Sequence, residues 1–296
     1  MPPLTIVIAT TQPWPEIRMT LDSLFDQARA CGAEIIVSDR TGQGLPSDVA
    51  DRYPGLIWLK QRTGSVFALR GAALARATGD LVATTEDHCR VAPDWCANIL
   101  RAHVDHPNAE VFGGPIDNGY PEMLKDWAHH FLVFGPAVPP IGARRREPIW
   151  SAANLTYRRS VLPSPISKQG IVEVFFIREL QAAGATLVAD PSIVVSHYQS
   201  FPFLVCCWYH FHNGRTIAAA RLPSLGPVGR LARLVGCGIL PLYVAGIRFS
   251  QVWPKRPHRR RLVLGLPWLA AFCVAHSCGE FIGYLIGGGS SPEWLR

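Results

Sequence analysis

Leu81-Val82-Ala83-Thr84-Thr85 is a short apolar and β-branched run that leads straight into Glu86-Asp87-His88. A run of this length reads as a buried strand. Each of the three residues at its end carries a group able to hold a cation. Two carboxylates and an imidazole at a strand end suit a divalent metal, and a metal placed there suits a diphosphate. The fold must therefore present strand ends to a ligand.

The rest of the first two thirds fits that demand. Leu4–Thr10, Ala33–Asp39 and Ile57–Leu59 read as further strands, and the Ala-rich segment Val66–Thr78 as a helix stopped by Gly79. Strands alternating with helices predict an α/β domain with a mostly parallel, Rossmann-like sheet. Ligands bind such sheets at the carboxyl ends of the strands, where Asp39 and Glu86-Asp87-His88 lie. Pro93-Asp94-Trp95 opens a helix, and Ala109–Gly114 is a strand and turn. Pro115–Pro148, aromatic and Pro-rich, predicts an irregular lid or acceptor-side loop. Ile149–Arg159 reads as a strand, Glu173–Ala183 as a helix, and Thr186–Ala189 and Ile193–His197 as closing strands. The catalytic domain is placed at residues 1–200.

Composition changes after His197. The 296 residues are 48% hydrophobic, and the polar ones concentrate before this point. Residues 201–296 predict an α-helical, membrane-associated region, with apolar helices over about 231–249 and 262–287. The basic loop Lys255–Arg261 between them should remain cytoplasmic, which favours a hairpin that dips into the bilayer. The alternative is a pair of buried core helices in a soluble protein. Net charge is +7, and Arg144-Arg145-Arg146 adds a second basic cluster. Anionic lipid or a phosphorylated substrate suits these clusters, whereas no zinc-finger spacing or RNA-binding signature points to nucleic acid. The eight cysteines are scattered without a CxxC pair, which predicts a reduced setting. No basic segment precedes the first apolar run, so no signal peptide is expected.

Taken in order, Thr5–Thr10, Ile36–Asp39, Ala68-Leu69-Arg70, Thr78-Gly79-Asp80, Glu86-Asp87-His88, Pro93-Asp94-Trp95, Ala153-Asn154, Tyr157-Arg158-Arg159, Glu173, Gly184, Pro191 and His197 resemble family 2 glycosyltransferases. These have the GT-A fold and use nucleotide-diphosphate sugars. The resemblance implies that Thr10 and Asp39 hold the nucleobase and ribose, with Arg70 and Asp80 also on the donor side. It makes Glu86-Asp87-His88 the metal motif, with Asp87 the foremost ligand and His197 able to reach the metal or diphosphate. The family's motif is acid-rich, and the His in third place leaves Mn and Mg both open, since only Mn accepts imidazole readily. Glu173 matches the general base of an inverting transfer, and its neighbours Val172 and Val174 give it an apolar setting suited to a base. Asn154 and Arg158-Arg159 fall on the acceptor or diphosphate side, and Trp95, Trp127 and Trp150 are candidates to stack on a sugar.

The implied function is transfer from a nucleotide-sugar to a glycan or lipid-linked acceptor at the cytoplasmic face of a membrane. Plainer roles stand beside it: Asp39 as a turn acid, Arg70 as a solvated helix residue, His197 as a structural hydrogen-bonder and Glu173 as a helix N-terminal acid. A non-catalytic nucleotide- or glycan-binding protein of the same fold remains an alternative. A nucleotidyltransferase is disfavoured by the lack of a Gly-rich loop after the first strand.

Overall fold

The computed structural model describes residues 1–142 and 151–295. Arg144-Arg145-Arg146 and Trp150 lie outside the described residues. The chain forms two compact units, one of residues 1–119 and 139–198, the other of residues 120–138 and 199–296.

The first unit opens with β1 (Leu4–Thr10), α1 (Arg18–Ala30), β2 (Glu34–Asp39), the short α2 (Ser47–Ala50), β3 (Ile57–Lys60), α3 (Val66–Arg76) and β4 (Leu81–Glu86). All seven residues of β1 are buried. The continuous apolar run of a central parallel strand requires that, because helices cover both of its faces. Then follow β5 (Cys89–Val91), α4 (Trp95–Asp105), β6 (Val111–Gly113) and β7 (Ile116–Asn118), and after the second unit's insertion β8 (Leu155–Arg158), α6 (Glu173–Ala182), β9 (Leu187–Ala189) and β10 (Val195–His197). The main sheet has the order β3-β2-β1-β4-β8-β6-β9. β1, β2, β3 and β4 run parallel, and β8 is antiparallel to both β4 and β6. A second small sheet has the order β5-β10-β7. Val7, Ile36, Ala73, Leu74 and Val82 form one shared core that fixes α3 to the sheet.

The second unit is helical: α5 (Leu124–Phe134), α7 (Phe203–Arg221), α8 (Pro227–Gly236), α9 (Leu240–Val252) and α10 (Arg259–Ile286). It corrects three expectations. The Pro115–Pro148 segment is no continuous loop, because α5 lies inside it with eight of its eleven residues buried. Flanking prolines mask this helix in the sequence, and tertiary packing supplies its stability. The boundary near residue 200 is therefore only half of the division, since residues 120–138 join the helical unit. The expected helix over 231–249 is instead two, α8 and α9, meeting at 72°. Gly236 ends α8, Gly238 lies in the break and Pro241 stands in the first turn of α9.

α7 and α10 approach closely through glycines. A Cβ on Gly279 would lie 1.9 Å from the Phe211 carbonyl oxygen, and one on Gly214 would lie 2.1 Å from that of His276. The buried Glu280 carboxylate of α10 accepts from Arg221 at 3.0 Å and pairs with His276 at 3.2 Å. The basic loop is partly spent within the unit. Lys255 Nζ donates to the carbonyls of Gly135, Pro136 and Val138, and Arg259 and Arg261 lie over the rings of Trp253 and Trp127. Arg256 and Arg260 remain exposed.

Candidate active site

The register brings the candidate residues together. Ala9 of β1 stands opposite Glu86 of β4, and Thr10 opposite Asp39 of β2. The chain leaves β1 toward β2 and β3, then returns to build β4 on the other side. The carboxyl ends of β1 and β4 are thus a topological switch point, the place where open α/β sheets bind ligands. In the small sheet, β10 pairs with β5 and sets His197 opposite Cys89. This brings His197 to the metal motif from more than a hundred residues away.

Three ligand atoms converge there. His88 Nε2 and His197 Nε2 are 2.8 Å apart, and Glu86 Oε2 is 3.3 Å from His197 Nε2 and 3.6 Å from His88 Nε2. Bonds of about 2.1 Å to one cation place neighbouring ligand atoms roughly 3 Å apart, so this triangle fits a metal. Cys89 Sγ joins the group, with its ligand atom and those of Glu86 and His197 all within 4.8 Å of one another. Burial and then the Glu86 charge push the Cys89 thiol well above its usual range.

Burial tends to raise the Glu86 carboxyl, but the hydrogen bond from His197 and the charges of His88, His197 and Arg70 bring it down to about 2. His88 moves upward: burial opposes its charge, yet the hydrogen bond and charge of Asp87 outweigh burial. His197 moves downward, through burial first and then the charge of His88.

Asp87 holds this arrangement from behind. Its Oδ1 accepts from His88 Nδ1 at 2.7 Å, and its Oδ2 accepts from Thr10 Oγ1 at 2.7 Å and from the Thr11 amide at 3.4 Å. Asp87 thus stands beside the three converging ligand atoms, held by protein donors. Both of its oxygens are engaged, and its geometry is that of a carboxylate orienting a ligand histidine.

Arg70 links the metal side to the candidate base. Its guanidinium is 3% exposed; it donates from Nη1 to Glu173 Oε1 and places Nη2 3.8 Å from Glu86 Oε1. The apolar setting expected for Glu173 is therefore a buried ion pair. Burial lowers the Arg70 guanidinium, but Glu173 and then Glu86 raise it further, so it stays charged. Two glycines allow the approach. Gly170 has φ +80°, and a Cβ there would lie 1.7 Å from the Phe67 carbonyl oxygen; one on Gly71 would lie 2.6 Å from Gly170 Cα. α3 and the loop before α6 can then touch, which carries Arg70 to Glu173.

Other expected residues are elsewhere or engaged. Asp80 is exposed at the amino end of β4, about 20 Å along the strand from Glu86. Arg158 pairs across from Leu81 at that same end and donates to the carbonyls of Ala109 and His103, and Arg159 is exposed beside it. These three do not reach the centre. Asp39 is in position but fully occupied: Oδ1 accepts from the Thr41 amide and hydroxyl, and Oδ2 from the Gly44 amide and Trp58 Nε1. Trp95 is buried, and Trp127 is buried within the helical unit. Neither offers a face to a sugar.

Asn154 lies beside the centre as a joint. Its Oδ1 accepts from Trp95 Nε1 at 3.0 Å, and its Nδ2 donates to the carbonyls of Pro115 at 3.1 Å and Ile193 at 2.7 Å. Asn154→Ala leaves three buried partners unsatisfied and is expected to cost about 3 kcal/mol or more in denaturant unfolding. Its donor KM should stay close to the parent value. A raised KM at unchanged stability would restore Asn154 to the donor site.

Sequence reasoning missed Cys89 and the Arg70–Glu173 pair. Cys89 directly follows the motif, but only the pairing of β5 with β10 shows that it faces His197.

The family model described as Glycosyl transferase family 2 matches residues 5–167. A search of curated proteins finds no significant match. Among solved structures, the mannosyltransferase PcManGT from Pyrobaculum calidifontis, in complex with GDP-Man and Mn2+, superposes with a TM-score of 0.54. It is 16% identical, and the match covers 96% of this chain and 87% of that one. The likeness in fold extends over nearly the whole chain, and the family match spans the strands from β1 to β8 together with Glu86, Asp87 and His88. The protein belongs to glycosyl transferase family 2.

Proposed function

We propose that the protein transfers a sugar from a nucleotide-diphosphate sugar to an acceptor hydroxyl with metal assistance and inversion at the anomeric carbon. The observation that carries this reading is the convergence of Glu86, His88 and His197 at the end of β4, with Arg70 joining them to Glu173. A divalent cation held by these three residues would neutralise the diphosphate as the glycosidic bond breaks. Thr10 fixes Asp87, and Asp87 fixes His88, so this side of the centre is pre-organised. Glu173, at the first turn of α6, accepts the proton of the attacking hydroxyl. Direct attack needs only this one base. The carboxyl ends of β1 and β2 form the nucleoside side, with Asp39 shaping the loop there.

The acceptor is read as a glycan or lipid-linked molecule at the cytoplasmic face of a membrane. Support comes from the helical unit, which holds twenty-one of the 24 exposed large hydrophobic residues among those described. α10 with its preceding turn is long and apolar enough to cross a bilayer.

A panel of nucleotide-sugars, with and without Mn2+, tests this reading by thermal shift and by donor turnover. GDP-mannose is the first donor to try, because the superposed mannosyltransferase carries it together with Mn2+. One donor should raise Tm in the presence of Mn2+, since saturation at a hundred times Kd adds about 2.7 kcal/mol. His197→Ala should abolish both the shift and the turnover. A protein that binds a donor tightly yet never transfers would instead be a non-catalytic sugar-nucleotide binder.

A further inference from the structure

The helical unit is strongly basic. It holds twelve Lys and Arg against four Asp and Glu, a net +8 within a protein of net +7. Most of these cations meet a protein group or stand in open solvent. Arg221 pairs with Glu280, Arg215 and Arg230 donate to carbonyls at the end of α10, and Arg259 and Arg261 lie over tryptophan rings. Arg248 of α9 is different. Its Nη1 donates to Gln251 Oε1 at 2.8 Å, but its Nε is closed off from water and has no acceptor. Among the described residues no carboxylate pairs with it. Asp126 and Glu280 are taken, the first by Lys125 and the second by Arg221 and His276. An enclosed cation without a partner is costly, so this guanidinium calls for an anion that the fold does not itself supply.

We propose that Arg248 and Gln251 form a binding site for the phosphate head of a membrane lipid. The proposal rests on the membrane reading above for the source of the phosphate, and on no residue of the candidate active site. Gly135, at the end of α5, makes the room. A Cβ there would lie 3.0 Å from Arg248 Cδ and 3.1 Å from Gln251 Oε1. With its Oε1 accepting from Arg248, the Gln251 amide keeps its NH2 group to donate. The pair therefore offers mainly N–H groups, and a guanidinium matches a phosphate in shape as well as in charge. Both residues are partly exposed, so the site opens outward.

A lipid supplies the phosphate and the chains together. α9 exposes Leu242 and Tyr243, by 80% and 65%, and these take the acyl chains. They stand about 8 Å along the helix from Arg248, within the reach of one lipid molecule. The same phosphate on a soluble molecule would leave that apolar surface bare.

The test is thermal shift on the full-length protein, delipidated in a non-ionic detergent, with dioctanoyl phosphatidate, dioctanoylglycerol and sodium phosphate as probes. Phosphatidate should raise Tm, whereas dioctanoylglycerol, with the same chains and no phosphate, should not. Arg248→Gln should weaken phosphatidate binding by roughly 10–100-fold, the loss of a charge-assisted hydrogen bond. Arg260→Gln, at an exposed position, should bind as the parent does. Without lipid, Arg248→Met should fold and keep or raise Tm, because it removes an unpaired charge. An Arg248-dependent shift with sodium phosphate alone keeps the phosphate site and assigns it to the free ion. No shift with either phosphate, an equal shift with dioctanoylglycerol, an unchanged phosphatidate shift in Arg248→Gln, or a lowered Tm of lipid-free Arg248→Met overturns the proposal. Vesicle flotation of a protein that fails these tests would remove the site and leave the membrane reading standing.

Discussion

Glu173→Gln is expected to lower sugar transfer by about 10²–10⁴-fold, the contribution of a positioned general base. It should also lower stability, because it leaves the Arg70 guanidinium buried without its carboxylate. Breaking one side of a buried ion pair costs about 3–5 kcal/mol. Arg70→Met should be as damaging, since it strands Glu173 in the same interior. The double variant Arg70→Met/Glu173→Gln separates structure from chemistry. With both charges gone, most of the lost stability should return, as buried pairs replaced by neutral groups are often neutral in energy. Activity should not return. Denaturant unfolding and donor turnover on the four proteins give the full cycle. Recovery of turnover along with stability in the double variant would make the pair a structural brace and remove Glu173 from the reaction.

The same pair shows where the sequence stops being readable. Glu86-Asp87-His88 stands out because a β-branched run ends in polar groups, and period and composition are local properties. The alternation of strands and helices identifies the parallel sheet for the same reason. Which of the three motif residues faces a metal is not local. It depends on Thr10, 77 residues earlier, whose hydroxyl turns Asp87 inward. The setting of Glu173 depends on Arg70, 103 residues away, and on the glycines that let two backbones touch. Val172 and Val174 suggest an apolar site only because their sequence neighbours are not their spatial ones. Asp80 misleads in the opposite way. It precedes the right strand but stands at the wrong end of it, and only strand direction shows this. α5 is hidden by composition, since prolines and aromatics on either side conceal a buried helix.

The second large effect concerns where the protein resides. Neither α8 nor α9 is a core helix: α8 has no buried residue and α9 only Val252. Val228, Leu231 and Val235 fall on one face of α8 and are 83%, 62% and 73% exposed. Ile239, Leu242 and Tyr243 continue the exposed apolar surface, the last two on α9. An uncovered surface of this kind is a docking face. α9 is about 20 Å long, short of the roughly 30 Å hydrocarbon core, and its 72° angle to α8 does not make one straight span. Helices that are apolar outward, bent and flanked by arginines suit the interface of an anionic bilayer. The native protein is therefore expected to float with anionic vesicles, to stay bound in a high-salt wash and to leave only with detergent. Leu231→Ser and Leu242→Ser should each weaken partitioning by about 1.5–3 kcal/mol, roughly ten- to a hundredfold. Both side chains are exposed, so folding and turnover of a soluble acceptor analogue should be unchanged. Complete recovery of the native protein in a detergent-free, salt-washed soluble fraction would return α8 and α9 to the surface of a soluble protein. Loss of vesicle binding in salt alone would assign the attachment to Arg256 and Arg260 rather than to the apolar face.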